Sequence, residues 1–419
     1  MRKTGSVAAS WLLPICFFLA TAADASCNAF LPVFARALQP ATPALAPSMA
    51  AGLPIAAFWL MVAVAQLSAA SWERGRDHRW LITAALALSA LTQALSGQAG
   101  SVPELVLWRA MGGFATGMVM ILAQDGMLRG SGAHARTAAS GAYLSAFFAG
   151  TIAGTLGGGF IAGRGGVEMA FLAAAAVAVM AALAAWRLPS YRDTVAPQPF
   201  RVATLLRNPS FMALVLLAAV PSRLLISAFL YYLAPLRLHD QGMSTAETGW
   251  VLALYAAIMA TTAPLWSRLV DRSGRPFAFT LGGLGLSALA MAVVPLASWA
   301  GWHGPAPMIV AIVLLGLAQA IGMAPQVTVL FNVAAAEMDR FGRTPVLGIF
   351  RVFERLGLFA GPLLAGFLGA GTDQSALTTL ALLALLAVPA LGAAFALAGH
   401  ASDRRRPDRR LNATPETTP

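Results

Sequence analysis

The sequence predicts an all-α membrane protein whose twelve transmembrane helices form two parallel-repeat six-helix bundles. Three observations carry this reading. The 419 residues are 58% hydrophobic and only 11% charged, with a mean hydropathy of +0.72, whereas a soluble domain carries about 25% charged residues. Apolar runs of about 20 residues, long enough to cross a hydrocarbon core about 30 Å thick, recur along the whole chain. The basic residues, all arginine except Lys3, collect between alternate runs. A formal charge of +11 would also suit nucleic acid, but there is no basic groove interleaved with aromatics, so nucleic acid is excluded as a partner.

The spans, in order, are 8–34, 49–71, 80–98, 103–128, 138–162, 167–187, 210–236, 247–268, 277–298, 307–334, 345–369 and 375–398. Their Ala, Leu, Val and Gly richness fits membrane helices, in which neighbouring helices re-satisfy backbone groups freed by proline. The ten-residue alternation of a membrane barrel does not occur. The first span imitates a secretory leader, with Arg2 and Lys3 followed by Ala23-Asp24-Ala25, but its apolar stretch continues to Phe34. It is therefore read as a helix. Cys16 and Cys27 lie eleven residues apart on it, roughly 16 Å along the axis, too far to pair.

The polar stretch after span six, with Pro189, Pro197 and Pro199, reads as a cytoplasmic linker. The expected domains are thus a bundle over 1–188, a linker over 189–208, a second bundle over 209–399 and a disordered basic tail over 400–419. With the N-terminus inside, Arg36, Arg164 and Arg237 fall outside, while Arg109, Arg223, Arg351 and Arg355 fall within spans. The other 21 of the 28 basic residues are then cytoplasmic. That bias predicts a bacterial inner-membrane protein with both termini cytoplasmic.

The two halves share landmarks. Trp72-Glu73-Arg74-Gly75-Arg76 after span two matches Asp271-Arg272-Ser273-Gly274-Arg275 after span eight. Gly150-x-x-x-Gly154 in span five matches Gly357-x-x-x-Gly361 in span eleven, and Pro32 matches Pro235. Offsets near 200 residues describe a parallel six-plus-six repeat.

On these motifs the chain resembles a twelve-helix member of the major facilitator superfamily over nearly all of 8–399, of the drug or metabolite proton-antiporter kind. Asp271-Arg272-x-Gly274-Arg275 is similar to the family's loop signature. Arg109-x-x-Gly112-Gly113 resembles the span-four motif of proton-coupled members. Gly150-x-x-x-Gly154-Thr155-x-x-Gly158 resembles the span-five antiporter motif, with Thr155 where proline is usual, and Gly361-Pro362 supplies the full element in the other half.

Ionisable groups inside spans are functional candidates by default. Asp24 shares a helix face with Asn28 and Pro32, and a carboxyl in a low-dielectric cavity can take and release protons. It reads as a proton carrier, or as a structural carboxyl bonded to a neighbouring helix. The resemblance implies that Arg109 tunes that carrier or touches substrate; the alternative is a charge near the outer mouth. Arg223 reads as a substrate contact or a structural partner of Asp24 or another cavity acid, with Asn28, Gln319 and Gln326 completing the expected substrate cavity. Arg351, Glu354 and Arg355 share a face, on which Arg351 and Glu354 can neutralise each other, and are expected to close an inner gate with Asp125 or the loop acids, the alternatives being a substrate or proton site and simple snorkelling. Glu73, Arg74 and Arg76 with Asp271, Arg272 and Arg275 form the expected conformational switch. Gly150, Gly154, Gly158, Gly357, Gly361 and Pro362 are expected to pack helices closely.

No metal-ligand spacing, phosphate loop or nucleophile elbow occurs, so no enzyme activity, metal or cofactor is expected. The resulting expectation is a monomeric, proton-coupled secondary transporter in the lipid bilayer that exports a small organic amphiphile, siderophore-like in charge. The alternatives are proton-coupled uptake of a nutrient or organic acid, and a non-transporting sensor of the same fold.

Overall fold

The computed structural model describes residues 4–40, 46–73, 75–128, 133–190, 192, 202–369 and 373–403. Among them the regular structure is helical, apart from an isolated bridge between Asp77 and Arg192. Twelve long helices account for most of it: α1 (Thr4–Ala25), α2 (Pro47–Glu73), α3 (His78–Gly97), α4 (Val102–Leu128), α5 (133–165), α6 (167–185), α7 (Pro209–Asp240), α8 (Thr245–Ser273), α9 (Pro276–Trp299), α10 (Ala306–Val333), α11 (Arg343–Gly369) and α12 (Asp373–Asp403), with short helices at Leu31–Ala37, Val202–Leu206 and Ala335–Phe341. Gly166 alone breaks the helical backbone between α5 and α6, at φ 84°. That left-handed conformation costs a residue without Cβ little.

The helices start where the sequence supplies caps. The Asp77 carboxylate accepts from the Arg79 amide at the head of α3, and Asn208 accepts from the Phe211 amide at the head of α7. Ser244 and Glu247 cap α8 reciprocally, which satisfies two of the amides a helix start leaves unpaired. Half of the polar linker, residues 191 and 193–201, and residues 404–419 of the basic tail lie outside the described residues, and α12 continues into the expected tail as far as Asp403.

The perimeter is apolar. Leucines such as Leu183, Leu265 and Leu386 point outward, and exposed tryptophans stand at both ends of the helices, with Trp72, Trp80 and Trp186 at one end and Trp250, Trp299 and Trp302 at the other. Such an apolar surface between two aromatic belts is a bilayer-facing surface. The chain is a multi-pass membrane protein.

The repeat is visible in packing. A Cβ added to Gly154 would strike the Ala22 carbonyl of α1, and one added to Gly361 would sit 2.5 Å from the Leu224 carbonyl of α7. Helix α5 thus lies on α1 as α11 lies on α7, with the glycines letting backbones approach.

Two spans depart from the sequence reading. The first is not one helix over 8–34: α1 ends at Ala25, the chain turns over 26–30, and a short helix resumes at Leu31–Ala37. Pro32 lies in the first turn of that helix, where it has no amide to give the Asn28 carbonyl and its ring crowds that carbonyl, so a continuous helix through 26–30 is disfavoured. Span seven is helical throughout but widens into π-helix at Val215–Ala219 and Ile226–Leu233, each just ahead of a proline, Pro221 and Pro235. A proline removes an amide and crowds the preceding turn, which one extra residue per turn relieves.

Between the halves, α2 crosses α11 and α5 crosses α8. The named contacts lie away from the basic face, the end that carries Arg76 and Asp271–Arg275. Pro362 packs on Gly52, Gly366 on Ser48, Gly159 on Thr245, and Gly163 on Ala246. Tyr232 donates to the Ser48 carbonyl at 2.6 Å. Arg36 grips Asp240 with both terminal nitrogens, at 3.0 and 2.5 Å. The two halves are therefore clasped at the end opposite the basic face.

Candidate functional site

The break in α1 opens onto a cavity of about 640 Å³, counted to its solvent-open mouth. Asp24, Asn28, Phe58, Trp59, Arg109 and Tyr231 are among the residues that line it. Asp24 ends the regular part of α1. Its carboxylate accepts from Thr116 of α4 at 2.6 Å and from Gln93 of α3 at 3.3 Å. The same Gln93 amide accepts from Arg109 at 3.3 Å through its oxygen, so it stands between carboxylate and guanidinium. Arg109 is buried, lies 4.6 Å over the Phe58 ring, and has an Nε without a hydrogen-bond partner. No ion pair to Asp24 occurs among the described residues, whose bridges run Arg36–Asp240, Arg223–Glu354 and Arg351–Glu354. Asn28 donates to Thr155 of α5 at 3.2 Å. Asp24, Asn28 and Arg109 therefore meet in one cavity, while Pro32 lies beyond the break and is buried.

A second cluster sits on the C-terminal half. Arg223 reaches Glu354 of α11 through Nε at 2.9 Å and a terminal nitrogen at 2.5 Å, and Met323 of α10 at 3.1 Å. Arg351 takes the other carboxylate oxygen at 2.8 Å. Arg355 places its guanidinium 5.4 Å over Trp59 of α2 and one nitrogen 3.9 Å from the Met120 sulfur. Trp59 in turn stacks on Tyr231 of α7, with ring centroids 6.2 Å apart. Aromatic side chains thus join the two halves across the cavity.

Several expectations change against this geometry. The partner of Arg223 is Glu354, not Asp24. Within the group expected at the inner gate, Glu354 is held by two arginines of its own half, Arg223 and Arg351. Gln319 is fully buried between helices, where it accepts from Ser222 at 2.8 Å and approaches Ser287 at 3.4 Å. It is thereby removed from the substrate cavity. Gln326, also buried, is not among the cavity-lining residues.

The switch residues stand at the basic face. Asp271, Arg272 and Arg275 are exposed and have no ion pair among the described residues. Arg76 is exposed 5.0 Å over Trp72. Arg74 lies outside the described residues, as does the side chain of Glu73.

Sequence reasoning missed Gln93, Thr116, Trp59 and Tyr231. Neutral amides, hydroxyls and aromatics inside a span carry no charge to flag them. For Gln93 the available signal was a side-chain amide inside an apolar run. The clasp of Arg36 and Asp240 was also missed, because two exposed charges 204 residues apart announce nothing until folded.

The chain matches the family described as Major Facilitator Superfamily over residues 13–338 and again over 215–418. No curated protein matches it by sequence. Solved structures share the fold. A bacterial homolog of the human lysosomal transporter Spinster, inward-facing and occupied, aligns with TM-score 0.74 at 16% identity, covering 94% of this chain and 97% of its own. A D-xylose-proton symporter aligns at 0.71 and 17%, covering 93% and 97%. The human organic anion transporter TETRAN aligns at 0.63 and 20%, covering 91% and 98%.

Proposed function

The chain belongs to the Major Facilitator Superfamily, whose members are transporters and not enzymes, and from that premise we propose that it is a proton-coupled secondary transporter of a small organic amphiphile, with Asp24 as the proton carrier. One observation carries the reading: Asp24 stands at the broken end of α1, inside the cavity between the halves, held by neutral donors. It can gain or lose a proton without breaking an ion pair. Arg109 acts on it through Gln93. The apolar and aromatic lining, Phe58, Trp59, Phe147 and Tyr231, suits the body of an amphiphile.

In this reading residues 1–188 and 209–399 are the two moving bodies, joined by 189–208, and the basic face is cytoplasmic. The clasped end then faces outward, and the cavity is reached from inside. The exposed Asp271, Arg272 and Arg275 form the inner closure only after the halves rock. The glycine ladder that suggested export by antiport is used here to pack α5 on α1, so it does not set direction. Export and uptake differ in whether substrate and proton bind in opposition or together.

Reconstitution with an imposed pH gradient tests the reading. Asp24→Asn is expected to abolish gradient-driven flux while leaving exchange of substrate for substrate intact. Full gradient-driven flux in that variant would remove Asp24 from the mechanism.

A further inference from the structure

Among the described residues, Arg109 and Asp24 line the cavity, and beside it lies the cluster of Arg223, Arg351, Arg355 and Glu354, which reaches the lining through Trp59 and Met120. Glu354 is held by Arg223 and Arg351, and Arg109 turns toward Gln93. Arg109 and Arg355 are both left without a carboxylate, but Arg109 has the Gln93 oxygen, whereas Arg355 has no oxygen partner among the described residues. The Arg355 Nε is enclosed without a hydrogen-bond partner. Its contacts are the Met120 sulfur and the Trp59 ring, and both of those residues line the cavity that holds Asp24.

A guanidinium cannot shed its proton, and a cation enclosed without an anion is costly. Its planar fork matches a carboxylate or a similar oxyanion. We infer that Arg355, backed by Arg223, seats the anionic group of an amphiphilic substrate, and that this anion and the proton on Asp24 bind together, so that transport is a symport of anion with proton. The inference rests on the proton-coupled reading and selects its uptake form.

The sign follows from charge. Protonating Asp24 removes a negative charge from the cavity that must receive another, so the anion binds more tightly to the protonated protein. By reciprocity, the bound anion makes Asp24 hold its proton. A cationic substrate would compete with the proton and produce exchange instead. The groups that face Asp24 from the helices packed on α1 do not reverse this sign. Helix α3 offers Gln93 and Ser89, α4 offers Arg109 and Thr116, and α5 offers Thr155 with Tyr143 further toward the basic face. Across the cavity stands Tyr231, with Arg223 and Arg355 near it and Arg351 and Arg355 near Tyr143. Only Glu354 opposes the anion, and two arginines already engage it. The carboxylate of a substrate would exchange places with Glu354 on Arg223 while Arg351 retains the displaced side chain.

Three probes of one shape but different charge decide the matter: benzoate, benzamide and benzylammonium, each titrated onto the full chain in lipid nanodiscs. Between about pH 6 and 8 the first and last keep their charge. Benzoate is expected to bind with net proton uptake from weak buffer, and about five- to hundredfold more tightly at the acid end. Asp24→Asn removes that pH dependence. Arg355→Gln weakens benzoate by tenfold or more but leaves benzamide unchanged, whereas a merely structural role for Arg355 would move every probe alike. Preference for benzylammonium, proton release on benzoate binding, unaltered benzoate affinity in Arg355→Gln, or no benzoate binding at any pH overturns the inference. Gradient-driven benzylammonium flux that needs Asp24 would remove the anion seat and leave proton coupling standing. Benzoate binding that needs Arg355 but ignores pH would remove the coupling and leave the seat.

Discussion

The Arg223–Glu354 pair is the most exposed to quantitative test. The side chains are 11% and 3% accessible, so their attraction acts in a low-dielectric interior and neither can be rehydrated cheaply. Replacing Glu354 by alanine leaves Arg223 enclosed with only the Met323 sulfur as partner, and removing one member of a buried pair costs about 3–5 kcal/mol. Arg351 adds little to that figure, because its side chain is 39% accessible and water substitutes for the lost carboxylate. At about 2 °C per kcal/mol for a chain of this size, thermal unfolding in detergent should fall by about 6–10 °C. Arg223→Met should cost less, since Arg351 still neutralises Glu354. The double variant, Arg223→Met with Glu354→Leu, replaces both ions by apolar groups of similar volume, which is commonly neutral or stabilising. A double-mutant cycle of Arg223→Met, Glu354→Leu and the two together, read by tryptophan fluorescence, should therefore show the double variant more stable than Glu354→Leu alone. If the two single losses simply add, the pair is not what holds these side chains, and the assignment of Arg355 as an uncompensated cation loses its basis.

Two further outcomes follow from packing and from the exposed loops. Gly158→Ala should lower stability by about 1–3 kcal/mol, because its new Cβ would strike the Ser26 carbonyl at the break in α1; Gly157→Ala, with nothing within 4 Å, should leave unfolding unchanged. Equal behaviour of the two would refute the close α1–α5 contact. At the loop after α2, the Ser190 hydroxyl beside Asp77, helped by the Arg79 amide, holds that carboxyl below the usual carboxylate range. The folded form is thus the poorer proton binder, so the stabilisation is present above the ordinary carboxylate range and is lost as pH falls through the lowered value. Hydrogen exchange in the first turn of α3 should speed up on acidification below that range, and Asp77→Ala should abolish the pH response.

The sequence was sufficient for the spans, because a helix in lipid must satisfy its backbone hydrogen bonds within itself. That requirement is local and writes itself as apolar length. The repeat was equally legible, since Gly150, Gly154, Gly357 and Gly361 are set by contact distance between backbones, and Cys16 and Cys27 are free and buried as their spacing demands. The in-span charges marked the neighbourhood of the site for the same reason: lipid tolerates them only where something else is present.

What each charge meets was decided by the tertiary structure alone. Asp24 and Thr116 are 92 residues apart, Arg223 and Glu354 are 131, and Arg36 and Asp240 are 204. Any of the four in-span arginines could have neutralised Asp24 on composition, and the fold instead gives Glu354 two of them and Asp24 only neutral donors. The same holds for the break in α1. Pro32 makes it permissible, but the packing of α5 across Ala22 and Ser26 fixes where the helix stops and so where the carboxyl is presented. Electrostatic pairing acts across space and not along the chain, which is why composition revealed that this protein holds charged groups inside a membrane while only the folded chain showed which of the in-span arginines stand without a carboxylate.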